Sequence, residues 1–284
     1  MTGGSAKPLP FTKRSDLCMT IAIQTRFDFS LETPTDVILQ FEAAAIPEQE
    51  ILSARTVLTC GDQCARVPAH EAIGERVLIN SQGRFDVSYD ARVDVKRLTP
   101  DLAGLAQLAP HDLPGDPLEY LLDSRYCPAD RLQSFVEDEF GSTSGGDRAL
   151  AIRDWIAKHF TYEPGSSTAT TTALDTFVER RGICRDYAHV LITLARASTI
   201  PARYVSCFAP GVTPPDFHAV AEVFLADRTT PGGGAWYIMD ATGMAEPHET
   251  VKIGVGRDAA DVSFLTSFGP SQFGDKTVTV TRED

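Results

Sequence analysis

Cys184, His218 and Asp240 supply, in that chain order, the groups that acyl transfer through an activated thiol requires. These are a sulfur nucleophile, an imidazole to take and return its proton, and a carboxylate to orient the imidazole. Cys184 lies in Gly-Ile-Cys-Arg-Asp-Tyr-Ala-His-Val-Leu-Ile-Thr-Leu-Ala-Arg-Ala-Ser. The apolar positions Tyr187, Val190, Leu191, Leu194 and Ala195 fall at helical spacing there, Gly182 marks the entry, and Pro201 closes the segment. This spacing predicts Cys184 at a helix N-terminus, where unpaired N–H groups and the positive end of the dipole favour a thiolate. On position alone, a small buried core residue is the alternative reading. His218 opens His-Ala-Val-Ala-Glu-Val-Phe-Leu, and Asp240 ends Ala-Trp-Tyr-Ile-Met-Asp. Both runs read as strands, joined by the Thr-, Pro- and Gly-rich segment 227–234. If they pair as a hairpin, His218 and Asp240 become neighbours at one edge of a sheet.

Other histidines and polar residues fit the chemistry less well. His189 lies five positions after Cys184, about 140° around a helix, and points to another face. His159 shares a helix face with Ile152, Trp155 and Ile156, as a core or edge histidine does. His111 sits in a Pro-rich stretch, and His248 lies beyond the second strand. Glu222 is on the same strand face as His218, but four residues at about 3.3 Å each put it too far away to orient the ring. Ser166 and Ser167 lie in a Ser/Thr-rich loop and match no serine-nucleophile motif. Cys60-Gly-Asp-Gln-Cys64 with His70 is at most half a metal site, because no second Cys pair follows at zinc-ribbon spacing. No metal and no organic cofactor is expected.

Four blocks in order resemble the transglutaminase-like cysteine hydrolases of bacteria: Gly-Ile-Cys-Arg-Asp-Tyr-Ala-His, Ile-Pro-Ala-Arg-Tyr-Val-Ser, His-Ala-Val-Ala-Glu-Val-Phe and Trp-Tyr-Ile-Met-Asp-Ala-Thr. The resemblance runs from about Asp147 to Phe268 and includes Tyr162-Glu-Pro-Gly upstream and Gly256-Arg-Asp-Ala-Ala-Asp-Val downstream. It implies a papain-related α+β fold and a triad carried by Cys184, His218 and Asp240. Tyr162, Phe217 and Trp236 are the aromatic residues expected to contact substrate. Two departures bear on substrate shape. Val220 stands where the family often has Trp, and the loop before Trp236 is longer than usual. The implied reaction passes through a thioester on a peptide, protein or amide substrate. Water as acceptor gives a peptidase or amidase, the favoured outcome. An amine acceptor gives a transglutaminase, and a binding module on the same scaffold is the non-enzymatic alternative.

The elements that must position these groups follow from patterning. Residues 1–18 are set aside as an arm, or as upstream of a true start at Met19. Residues 19–98 alternate apolar and polar in short runs at Ile21–Phe29, Val37–Phe41, Arg55–Cys60, Arg76–Asn80 and Arg84–Val95. They predict a β-sandwich-like domain with a hairpin at Asn80-Ser-Gln-Gly83, and the family resemblance implies that it packs on the catalytic part. Residues 99–128 form a Pro-rich linker compatible only with short helical turns, one of them at Leu118–Leu122. Residues 129–284 form the catalytic domain, with helices over Ala129–Phe140, from an Asp147 cap to His159, over Thr172–Arg181, and after Cys184. The fold class is α+β, with the Cys-bearing helix packed on an antiparallel sheet.

At 284 residues and 43% hydrophobic content the chain is an ordinary globular protein. Its net charge of −13 argues against nucleic acid and anionic membranes as partners. No run has the length of a membrane span, the N-terminal residues lack an apolar signal core, and the six cysteines are scattered. A cytoplasmic location is therefore expected.

Overall fold

The computed structural model describes residues 19–59, 63–227, 229 and 233–283. The arm assigned to 1–18 and Cys60 of the half metal site lie outside the described residues. Two antiparallel sheets and a helical layer make up the fold, which is α+β. The first sheet contains β1 (Met19–Leu39), β2 (Gln49–Leu58), β3 (Gln63–Pro68), β4 (Glu75–Val95), β11 (Leu265–Ser267) and β12 (Ser271–Glu283). The long strands β1 and β4 pair along their whole length, β2 and β3 flank β4, and β11 and β12 flank β1. The second sheet has the order β10-β7-β8-β9, built from β7 (Ala202–Phe208), β8 (His218–Ala226), β9 (Gly234–Met239) and β10 (Val251–Gly256). A two-residue parallel pair joins β5 (Thr161–Tyr162) to β6 (Arg181–Gly182). The helices are α1 (Gln133–Phe140), α2 (Gly145–His159), α3 (Ala173–Glu179) and α4 (Cys184–Ala197).

Three differences from the sequence expectations have physical causes. Asn80-Ser-Gln-Gly83 is not a hairpin: β4 runs straight through it. Opposite it, the β1 register shifts between Leu31 and Thr35, across Pro34. The punctuation in both strands marks a bulged bend of one ribbon rather than a chain reversal. The C-terminal boundary also differs, since β11 and β12 pair with β1 and return the end of the chain to the N-terminal sheet. Finally, Asp147 does not cap α2. The helix starts at Gly145, where a Cβ would meet the Leu105 carbonyl at 2.2 Å, and Asp147 instead accepts the Gly104 N–H at 3.2 Å. The linker thus lies against the helix start. Its helical content is limited to 3-10 turns, including Asp116–Leu121.

Residue alternation divides the core. Ala219, Ala221, Val223 and Leu225 of β8 face the helices and pack on Val190, Leu191 and Leu194 of α4. On the opposite side, Phe208, Val251 and Ile253 join Phe27, Phe41 and Tyr89 of the N-terminal sheet. The β10-β7-β8-β9 sheet is therefore covered on both faces, which is why its strands read as almost unbroken apolar runs. Between the sheets lies a chain of charges whose centre, Glu222, Arg203 and Lys252, is buried. Glu222 pairs with Arg203 at 2.8 Å and with Lys252, Arg203 reaches Glu71 at 2.5 Å, and Lys252 also pairs with Glu48. Each charge is compensated, as burial requires.

This shared core makes the two sheets one cooperative unit. Phe208→Ala should cost about 3–5 kcal/mol by leaving a cavity between them. Urea unfolding followed by tryptophan fluorescence and far-UV circular dichroism should still give one coincident transition at a lower midpoint. Two separated transitions in the wild-type protein would show that the sheets unfold independently.

Candidate active site

Cys184 is the first residue of α4 and is half-buried. The turn before it is held in two ways. The β5–β6 pair fixes Gly182 beside Tyr162, with the Glu163 N–H donating to the Gly182 carbonyl at 2.9 Å. Asp186 folds back from the first turn to accept the Ile183 N–H at 2.8 Å and the Ser167 hydroxyl at 2.9 Å. An acceptor there satisfies a helix-end donor and suits the dipole. A Cβ on Gly182 would lie 2.7 Å from the Asp186 Cβ, so this arrangement requires glycine.

His218 opens β8 and Asp240 follows β9, and the hairpin register pairs Ala221 with Met239. The expected edge therefore forms. His218 Nε2 lies 2.9 Å from Asp240 Oδ2, with both side chains almost fully buried. The carboxylate is held by further donors: the Thr242 N–H and hydroxyl at 2.8 Å, the Met244 N–H at 3.1 Å and the Ala245 N–H at 2.9 Å. Burial opposes its ionisation, but these hydrogen bonds and the imidazole hold Asp240 below the usual carboxylate range. For His218, burial works against the charged ring. The hydrogen bond to Asp240 and the interaction with the Cys184 sulfur outweigh it and push the imidazole up to about 10. Its Nδ1 is buried without a hydrogen-bond partner among the described residues.

Cys184 and His218 line the same cavity of about 450 Å³, together with Phe217, Tyr126, Arg125 and Lys276. Phe217, expected to contact substrate, is in its wall, stacked on Phe264 with ring centroids 4.9 Å apart. Lys276 comes from β12 and pairs with Asp216 at 2.6 Å, so the N-terminal sheet supplies one side of the cavity. Tyr162 stands beside the nucleophile position. It pairs with Gly182 in the β5–β6 register and packs on Tyr187 with ring centroids 6.0 Å apart, and burial, followed by its electrostatic interaction with Cys184, raises the phenol. Trp236 is the correction. It sits opposite Phe224 in the β8–β9 register, packs on Phe224 and Tyr120, and lies under the Arg203 guanidinium at 4.1 Å. It lines a different cavity, beside residues 97–102. It lies four positions before Asp240, about 13 Å of extended chain.

The set-aside residues have other partners. His189 is fully buried, accepts the Ala259 N–H at Nε2 and stacks on Tyr126. Burial, then Arg185 and Arg196, hold it well below the ordinary histidine range. His159 bonds the Trp155 carbonyl at 2.7 Å. Glu222 belongs to the buried charge chain. His70, weighed with Cys60 and Cys64 as a metal partner, sits 3.2 Å from Glu119 and near Glu71, a trio spaced so that it could hold an ion. Glu71, however, is already engaged by Tyr120 and Arg203. Sequence reasoning missed Arg125, Tyr126 and Lys276. The signal for Tyr126 lay in the Gly256–Val262 block, where Asp258 is buried and accepts the Tyr126 N–H at 2.8 Å.

The His218 shift has a definite sign. A folded-state value raised from 6.5 to about 10 stabilises the fold fully below about 6.5, and this contribution is lost as pH rises through 10. Asp240→Asn removes the charge that holds the ring up, so the imidazole should titrate several units lower in a histidine NMR titration. The alkaline loss of stability between about 6.5 and 10 should shrink with it. An unchanged titration would mean that Asp240 does not set the protonation of His218.

The model of the transglutaminase-like superfamily matches residues 133–241. A solved structure of a candidate cysteine protease from Cytophaga hutchinsonii superimposes with a TM-score of 0.84 at 33% identity, covering 94% of this chain and 91% of that one. An uncharacterized protein of Mycobacterium leprae is 29% identical over 153 residues, 52% of this chain and 53% of that protein. An uncharacterized protein of Mycobacterium tuberculosis is 34% identical over 125 residues, 40% of this chain and 38% of that protein. The chain thus spans about half or less of the curated relatives it matches. No helix among the described residues is long and apolar enough to cross a membrane. With a helix-borne cysteine and an Asp-held histidine on one cavity, and with a fold shared almost end to end with the Cytophaga structure, this chain belongs to the transglutaminase-like superfamily.

Proposed function

We propose that the chain is a cysteine hydrolase that cleaves peptide or other amide bonds through a thioester on Cys184. The observation that carries this reading is a buried, Asp-held imidazole sharing a cavity with a sulfur at a helix N-terminus. His218 accepts the thiol proton, and Asp240 keeps the imidazolium that results. The thiolate attacks the carbonyl carbon, and the carbonyl oxygen becomes an oxyanion. The Cys184 N–H, which has no intrahelical acceptor at this position, can donate to that oxygen. Tyr162, held beside Gly182 in the β5–β6 pair, is the candidate for the second donor. His218 then protonates the leaving amine, leaving the acyl group on sulfur. Water, deprotonated by the same imidazole, attacks the thioester and releases the acid and free thiol. The steps need no group beyond these side chains and water.

Hydrolysis is the favoured outcome because water is always available and nothing in the sequence marks a channel for an amine. The scattered cysteines support work in the cytoplasm. The reading is tested by thiol labelling and by acceptor competition. Iodoacetamide should modify Cys184 selectively in the wild type, ahead of the exposed Cys64, and His218→Ala should abolish that selectivity. Labelling spread evenly over the accessible cysteines would favour a binding module on the same scaffold. With a glutamine peptide and a labelled amine, ammonia release should exceed amine incorporation. The reverse ratio would make the enzyme a transglutaminase.

A further inference from the structure

We infer that the cavity beside Cys184 contains an anion subsite centred on Arg125, and that its substrates carry a carboxylate next to the bond to be cleaved. The inference deepens the hydrolase reading, since it takes this cavity as the substrate cleft. Three cationic side chains line it. Lys276 is neutralised by Asp216 at 2.6 Å, and Arg185 is paired with Asp186 at 3.4 Å and bonded to the Ser167 hydroxyl at 2.8 Å. Arg125 is exposed and has no carboxylate partner among the described residues, so it is the uncompensated charge of the cleft.

The position of Arg125 is built rather than incidental. Ser124 and Cys127 exchange two backbone hydrogen bonds, each 3.2 Å, and place Arg125 and Tyr126 at the tip of a tight turn. The Arg125 guanidinium carbon lies 5.2 Å from the centre of the Tyr126 ring, a cation–π arrangement. Tyr126 is itself locked at three points. Its N–H donates to the buried Asp258 at 2.8 Å, its hydroxyl donates to the Ala169 carbonyl at 2.8 Å, and its ring stacks on His189 at 5.2 Å. The guanidinium therefore stands on a rigid aromatic platform, and little ordering is needed to bind a planar anion. Arg185 also lies 5.5 Å from the Tyr126 ring centre, but with Asp186 beside it, so Arg125 is the cation of this platform without a carboxylate partner among the described residues. In a chain of net charge −13, an exposed guanidinium without a carboxylate partner among the described residues is the local feature that favours an anion. Two bonds from one guanidinium match one carboxylate. That carboxylate belongs either to a Glu or Asp side chain or to a free chain terminus.

Binding to Cys184→Ala, which cannot turn over, tests the subsite independently of catalysis. Fluorescein-labelled pentapeptides differing only at the central residue, Glu against Gln, both C-terminally amidated, report the side-chain source. An all-Ala peptide with a free rather than amidated C-terminus reports the terminal source. At low salt, one carboxylate form should bind about five- to tenfold tighter than its neutral isostere, and added salt should narrow the gap. Arg125→Glu in the same background should reverse the preference toward a Lys peptide. Should that variant fail to fold, Arg125→Gln should instead remove the preference. Equal affinity for acidic and neutral peptides, or a preference that survives substitution of Arg125, overturns the proposal. If the acid preference holds in binding while the wild-type protein cleaves no peptide, the subsite stands and the hydrolase reading falls. If the protein cleaves peptides but shows no acid preference, the hydrolase reading stands and the subsite falls.

Discussion

The hydrogen bond between His218 and Asp240 is the interaction on which the rest of the structure depends. It brings an imidazole and a carboxylate together out of water, where either alone would be costly. The carboxylate keeps its charge because the turn after β9 turns three backbone N–H groups and one hydroxyl toward it. The imidazole keeps its proton because that charge is fixed 2.9 Å away. An ion pair assembled in this way is already shielded from solvent, and bringing a reacting group beside it requires little rearrangement of the protein.

The surrounding fold keeps this pair rigid. The hairpin β8–β9 sets the distance between the two residues, and the flanking strand β7 is sealed on one side by α4 and on the other by the N-terminal sheet. The N-terminal sheet does more than cover the catalytic one. Through Phe27, whose ring centroid lies 6.4 Å from that of Phe217, and Lys276 paired with Asp216, it supports the two residues that precede His218 in the chain. Its strands are long and bent at the Leu31–Thr35 bulge. The C-terminal strand β12 returns to this same sheet, so both ends of the described chain sit at one structural unit.

The parts legible in the sequence share a property: local pattern and distant partner agree. The α4 periodicity, the glycine before it and the two apolar runs ending at Asp240 each predict their element, and together they bring His218 to Asp240. Trp236 departs from expectation because it shares a strand parity with Asp240 but lies about 13 Å further along, at the other end of the hairpin. Register, not proximity in sequence, sends it toward Phe224 and Arg203. The path of β4 through Asn80–Gly83 is hidden because turn-type residues also mark a bulge, and only the partner strand distinguishes the two. Arg125 and Lys276 are invisible for a different reason. Their importance comes from what is absent or present in space around them, a missing carboxylate in one case and Asp216 in the other, and no spacing rule encodes that.

The central claim is that acyl groups pass through the sulfur of Cys184, and capture of that intermediate tests it most directly. The protein would be mixed with an activated acyl ester, quenched in acid within the first turnover, and weighed intact before peptide mapping. The account predicts a mass increase equal to the acyl group, confined to the peptide containing Cys184, removed by hydroxylamine and absent in His218→Ala. Steady product release with no such adduct, or an adduct on another residue, would contradict it.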